Sequence, residues 1–167
     1  MDFHSQTYGL VNLKEISTII MKEIKKSPME EYIIAIGSDS QNTTRTKLVE
    51  VIVLQKVGKG GVFFYRITSF KPIRDLRRKL IAETEKTIGL GISFLEELEN
   101  LYIEEGFDYQ DYDLSLQIHC DVGKEGSSNQ MVPMVVGYVK GVMMDCYEVK
   151  IKPYSFAAST VADKISK

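Results

Sequence analysis

The stretch Tyr32–Gln41, YIIAIGSDSQ, constrains this chain more than any other. The apolar run Tyr32–Gly37 suits a strand buried on both faces, placed near the middle of a sheet. Gly37 leaves room for another backbone or a ligand to approach just before Asp39. An ionised carboxylate at the end of a buried strand carries a desolvation cost that a cation offsets. An Asp between Ser38 and Ser40 also suits a turn bonded to its own backbone, so the remaining acids must decide between the two readings.

A length of 167 residues is enough for one domain with a substantial core. We read 1–167 as that domain, with 1–30 as an N-terminal helical extension. Apolar residues make up 44% and charged residues 26%, an ordinary globular profile. The net charge of -2 provides no bulk basic field for nucleic acid, so such a partner needs a local patch or metal ions. Cys120 and Cys146 lack CxxC spacing and read as small core residues in a reducing compartment. No signal pattern appears, and no apolar stretch approaches the ~20 residues needed to cross a bilayer, so we expect a cytoplasmic protein away from membranes.

Residues 1–10 read as a loose lead-in or a short strand. Leu13, Ile16, Ile19, Ile20 and Ile24 form a helical stripe, with Asn12 and Glu15 placed as a capping box and Pro28 ending the segment. After Asp39 a polar connection, 41–46, leads into a hairpin, Leu48–Val57 and Val62–Phe70, turning at Gly58–Gly61. That glycine-rich turn lacks the ending and the helix of a phosphate-binding loop. Residues 74–105 form a long helix in which Gly89 and Gly91 allow a kink or a break. Its basic start (Arg74, Arg77, Arg78, Lys79) and acidic end oppose the helix dipole, and the start is a candidate phosphate contact. Tyr112–Asp121 alternates as a strand ending in a second Asp. Met131–Met144 reads as a helix or a strand, suited either to the core or to a subunit interface. Cys146–Ile151 reads as a strand, and Tyr154–Lys167 as a helix with a narrow face of Ala157, Ala158, Val161, Ala162 and Ile165.

The resulting order is a strand with Asp39, a hairpin, a helix with Glu83, a strand with Asp121 and a last helix with Asp163. GSDSQ at 37–41, RKLIAET at 78–84, DVGKEGSS from Asp121 and IKPYSFAASTVADKISK at 151–167 together resemble the YkuK-type family of predicted ribonuclease H-related nucleases. The resemblance implies an α/β, ribonuclease H-like fold: a mixed central sheet with helices on both faces. It also implies that Asp39, Glu83, Asp121 and Asp163 are catalytic and metal-binding. Of Glu83 and Glu85, about 200° apart around a helix, only one can face the strand ends, and Glu83 shares the Leu76, Leu80, Thr84 side. His119 shares the face of Asp121, yet a lone strand histidine usually serves the structure.

On this reading the chain is a divalent-metal-dependent nuclease. Two ions, Mg²⁺ or Mn²⁺, ~3.5–4 Å apart, serve attack and leaving oxygens, and hard oxygen donors favour these ions over Zn²⁺. Asp39 would bridge both ions, Glu83 and Asp121 would hold one, and Asp163 the other. Ser40, Arg74, Arg77, Arg78, Lys124 and Lys164 are the candidate substrate contacts, and the partner is RNA, DNA or a hybrid. Two other readings compete: a catalytically weak ribonuclease H-like module that binds nucleic acid or a protein, and a phosphotransfer enzyme acting on small nucleotides. The oligomeric state is left open by the sequence.

Overall fold

The computed structural model describes residues 2–167. Its frame is one seven-stranded mixed sheet, in the order β2-β1-β5-β4-β3-β6-β7. The strands are β1 (Asp2–Ser5), β2 (Gly9–Asn12), β3 (Tyr32–Asn42), β4 (Thr46–Lys56), β5 (Gly60–Phe70), β6 (Leu114–Gly123) and β7 (Glu148–Lys152). Helices α1 (Leu13–Lys26), α2 (Leu76–Glu105) and α3 (Val132–Met143) precede a C-terminal unit of π-helical turns at Ala157–Ala162 followed by α4 (Asp163–Ser166). The α/β expectation, with a mixed sheet and helices on both faces, matches this arrangement.

The apolar run around Ile34 and Ile36 becomes the strand that organises the others. β3 pairs antiparallel with β4 along its whole length but parallel with β6 only from Tyr32↔Leu114 to Gly37↔His119. The sheet therefore opens just before Asp39. β3 does not stop there, as the sequence suggests, because β4 continues to pair with it out to Asn42↔Thr46. The polar connection expected at 41–46 shrinks to a tight turn between these strands.

Alternation assigns the two faces. Ile34, Ile36, Ile52, Leu54 and Phe64 join the main core with Ile16, Ile20 and Ile24 of α1, and with Phe94, Leu98 and Leu101 of α2. Ala35, Val49, Val51 and Val53 face the other way, against Ala157, Ala162, Val161 and Ile165. Small residues let the C-terminal unit lie close to the sheet, and Gly37 is where they matter most. A Cβ there would stand 2.9 Å from Ala158 N and 3.2 Å from Ala157 C and His119 O, all backbone atoms. Gly37→Ala should therefore displace this unit and cost about 1–3 kcal/mol, read as a lowered denaturant midpoint with an unchanged slope.

Several elements differ from expectation for identifiable reasons. Residues 2–12 form a hairpin whose first strand meets β5 at His4↔Tyr65, so the start of the chain is built into the sheet. α2 runs unbroken past Gly89 and Gly91. A Cβ at Gly91 would lie 3.0 Å from Met143 Cε and 3.1 Å from Ile118 Cδ1, so this glycine serves close packing rather than a break. Unfavourable charge at both ends of α2 is offset by caps: Asp75 accepts from Arg78 N at 2.8 Å, and Gly106 is left-handed with φ 64°. The 131–144 stretch is the helix α3, which buries Val135, Val139 and Met143 and exposes Tyr138 and Val142. Cys120 is buried, but Cys146 is exposed in the turn after α3, which corrects the reading of both as core residues. Among the described residues, no helix is long and apolar enough to cross a membrane.

Candidate acidic site

The four acids lie where β3 and β6 part. Asp39 leaves β3 on the face covered by the C-terminal unit and is 6% exposed. Its Oδ2 accepts from Ser166 Oγ at 2.8 Å. Lys47 Nζ donates to Ile165 O at 2.7 Å, so the last turn is held over β3 and β4 from two sides.

Glu83 arrives from the opposite face. Of the two glutamates it is the buried one, while Glu85 is exposed. The N–H and the hydroxyl of Ser40 both donate to Glu83 Oε1, at 3.0 and 2.7 Å. Ser40 lies beyond Gly37, the last β3 residue paired with β6, so the helix carboxylate takes the place that a neighbouring strand would fill. Ser38 Oγ donates to the backbone carbonyl of Glu83 at 2.9 Å and pins α2 to the strand. Ser40 is thus buried and committed to Glu83, which corrects the expectation that it contacts substrate.

Asp121 lies two residues before the end of β6, on the same sheet face as His119. Lys152 Nζ forms an ion pair with its Oδ1 at 2.9 Å, and among the described residues that buried oxygen receives no aligned hydrogen bond. Asp163 opens α4, with Lys167 Nζ 2.6 Å from its Oδ2. Lys79 Nζ is 3.7 Å from Glu83 Oε1. Three lysines therefore attend three of the four carboxylates. Among the described residues no three His, Cys, Asp or Glu side chains stand in an arrangement that would hold a metal ion.

Burial dominates the electrostatics. The Asp39 carboxyl is pushed up by desolvation first; Ser166 opposes that rise, and Asp121 and Asp163 add to it. Glu83 is pushed up to about 7, again by burial first, with Ser40 and Lys79 opposing and Asp39 and Asp121 adding. The acids thus lie within electrostatic reach of one another, although they come from four different elements.

His119 turns away from this chemistry. It is fully buried, its Nδ1 accepts the Ala157 N–H at 3.1 Å, and its Nε2 is 2.8 Å from Gln117 Oε1. Its ring meets Phe156 edge-on, with centroids 4.7 Å apart. Burial, then Lys150, holds its pKa down at about 4, so it stays neutral and fastens the start of the C-terminal unit to β6. Arg74, Arg77 and Arg78 are exposed around the start of α2, and Lys124 and Lys164 are exposed near Asp121 and Asp163 in sequence. The residues that sequence reasoning missed are Ser166, Lys152 and Lys167. None carries a local motif, because each gains its meaning from a partner brought close by folding.

Known proteins resemble this chain. YkuK of Bacillus subtilis (strain 168), described as an uncharacterized protein, is 26% identical over 171 residues, covering 99% of this chain and 96% of that protein. Two solved structures of the Mos1 transposase catalytic domain with Raltegravir also match. The one with Mn is 10% identical, with a TM-score of 0.28, covering 82% of this chain and 57% of that one. The one with Mg is 12% identical, with a TM-score of 0.27, covering 82% and 58%. Scores this low have no bearing on what this chain does. The family model described as Ribonuclease H-like matches residues 15–167, from the first turn of α1 through all four acids, and the chain belongs to that family.

Proposed function

We propose that the chain, as a single ribonuclease H-like domain, hydrolyses phosphodiester bonds in nucleic acid at Asp39, Glu83, Asp121 and Asp163. The observation that carries this reading is the convergence itself: two buried carboxyls, raised by burial and by neighbouring acids, beside two more that are attended by lysines. A cluster of this kind calls for cations.

The donor chemistry suits divalent ions, although no three of the described acids stand as a ready ligand set. The donors are hard carboxylate oxygens, and among the described residues the buried Oδ1 of Asp121 is met by the Lys152 ammonium at 2.9 Å without an aligned hydrogen bond. The four acids would hold two Mg²⁺ or Mn²⁺ ions in place of the lysine ammoniums. Such ions, when bound, activate water and neutralise charge on the leaving oxygen. Ser166 and Ser40 orient Asp39 and Glu83 through the bonds described above. Glu83 gives up its proton near neutrality, so the affinity of the site for cations grows through that range. Arg74, Arg77 and Arg78 meet backbone phosphates beside the site, with Lys124 and Lys164 on the substrate side.

A panel of labelled RNA, DNA and hybrid oligonucleotides, with small phosphate esters as controls, tests the activity in Mn²⁺. Cleavage of the esters alone would move the assignment to a phosphotransfer enzyme. The lysine pairing also favours a second reading, a weakened site that binds nucleic acid without cutting it. Lys152→Met separates the two. If lysine and metal compete for Asp121, the variant binds Mn²⁺ several-fold more tightly by calorimetry; unchanged affinity would mean that no such competition exists.

A further inference from the structure

The nuclease reading leaves the form of the substrate open, and Tyr154 narrows it. At 74% exposure it is the most exposed aromatic side chain among the described residues. Among the described residues its hydroxyl makes no hydrogen bond and its ring meets no other ring or cation. A solitary surface aromatic is ordinary, but its setting here is not. Two residues earlier, Lys152 reaches Asp121. The Tyr154 N–H donates to Ile151 O at 2.8 Å. The next residue, Ser155, is fully buried, and its carbonyl accepts from Ala158 N and Ser159 N at 3.1 and 2.9 Å. The ring is therefore presented from a fixed backbone, between the strand whose lysine attends Asp121 and the helical unit that carries Asp163.

We propose that Tyr154 stacks on an unpaired base of the substrate, so that the site takes a single strand or a frayed end in preference to the interior of a duplex. This inference rests on the nuclease reading. Paired bases within a duplex are stacked on one another and offer no free face; an unpaired base does, whatever its identity. Stacking also supplies affinity that the electrostatics do not. A chain with net charge -2, whose basic cluster at the start of α2 is joined on the substrate side by Lys124 and Lys164 alone, neutralises few phosphates, too few to hold a duplex by charge alone.

The protein has no tryptophan, so Tyr154→Trp introduces a single reporter. Its emission should be quenched by a single-stranded oligonucleotide and much less by a blunt duplex of the same sequence. In cleavage assays with Mn²⁺, Tyr154→Ala should raise KM for the single strand roughly tenfold with little change in kcat. Tyr154→Phe should keep the native KM, and all three variants should keep native melting and Mn²⁺ affinity. An unchanged KM in Tyr154→Ala, or tryptophan emission indifferent to the single strand, overturns the stacking role while the nuclease reading stands. If the native protein neither binds nor cuts any oligonucleotide, the nuclease reading falls and takes this inference with it.

Discussion

In a calorimetric titration, native protein should take up Mn²⁺ while Asp39→Asn shows at least a hundredfold weaker uptake, and the variant should lose oligonucleotide cleavage in the same buffer. Asp39 is the acid that the other three are coupled to electrostatically. It is buried, and its carboxyl feels both Asp121 and Asp163, while Glu83 feels Asp39 in turn. Asparagine keeps an oxygen to accept from Ser166, so the last turn stays seated. What disappears is the charge, and with it the attraction for a divalent ion in a site of low dielectric. Melting curves of the two proteins in EDTA should nearly coincide. Mn²⁺ binding by Asp39→Asn within a few-fold of native, or cleavage at the native rate, would falsify the acidic-site proposal.

Glu83→Gln should reverse part of the pH dependence of stability. A carboxyl whose folded pKa lies near 7, against an ordinary 4.5, binds its proton more tightly in the folded chain. The unfolded chain loses that proton first as pH rises, so the native protein loses stability between about pH 4.5 and 7 and levels off above. The full difference is at most about 3 kcal/mol. Glutamine stays neutral and still accepts from Ser40, but it forgoes the attraction of Lys79. In EDTA the variant should therefore be more stable than native protein at pH 8.5, by up to that amount in urea titrations, and no more stable at pH 4.5. A native advantage at pH 8.5 would mean that the Lys79 pairing outweighs burial. Adding Mn²⁺ should stabilise the native protein more than the variant at high pH, because an ion bound only to the folded state adds to its stability.

The residues of the site differ in how readily sequence reveals them. Asp39 stands at the end of an apolar run and Asp121 at the end of an alternating one, and both endings are visible without a structure. Glu83 required a helical wheel, and the wheel separated it correctly from Glu85 because α2 is regular at that point. Asp163 sits just past π-helical turns, whose wider spacing carries it around the axis relative to a 3.6-residue period. The helical spacing of 154–167 nevertheless puts Asp163 beside the small-residue stripe, at the border of core and solvent, and the structure has it half-buried there. Ser40, read as a substrate contact from its place beside Asp39, points the other way because neighbours on a strand alternate faces. The early end assigned to β3 failed for a related reason: polar residues after Asp39 look like a loop until β4 is seen beside them.

Hydrophobic spacing along the chain determined most element types, leaving 1–10 and 131–144 open, and the order in which four acids occur, since burial of strand and helix faces is a local, periodic demand. The room that Gly37 leaves was also legible, although not what fills it. Tertiary structure alone decided that the C-terminal unit fills it, that β6 departs from β3 at Gly37, and that Glu83 takes the vacated edge. It likewise decided that Lys79, Lys152 and Lys167 stand against the acids. Charges far apart along a polypeptide have no interaction energy worth reading until folding brings them within a few ångströms in a medium that screens them poorly.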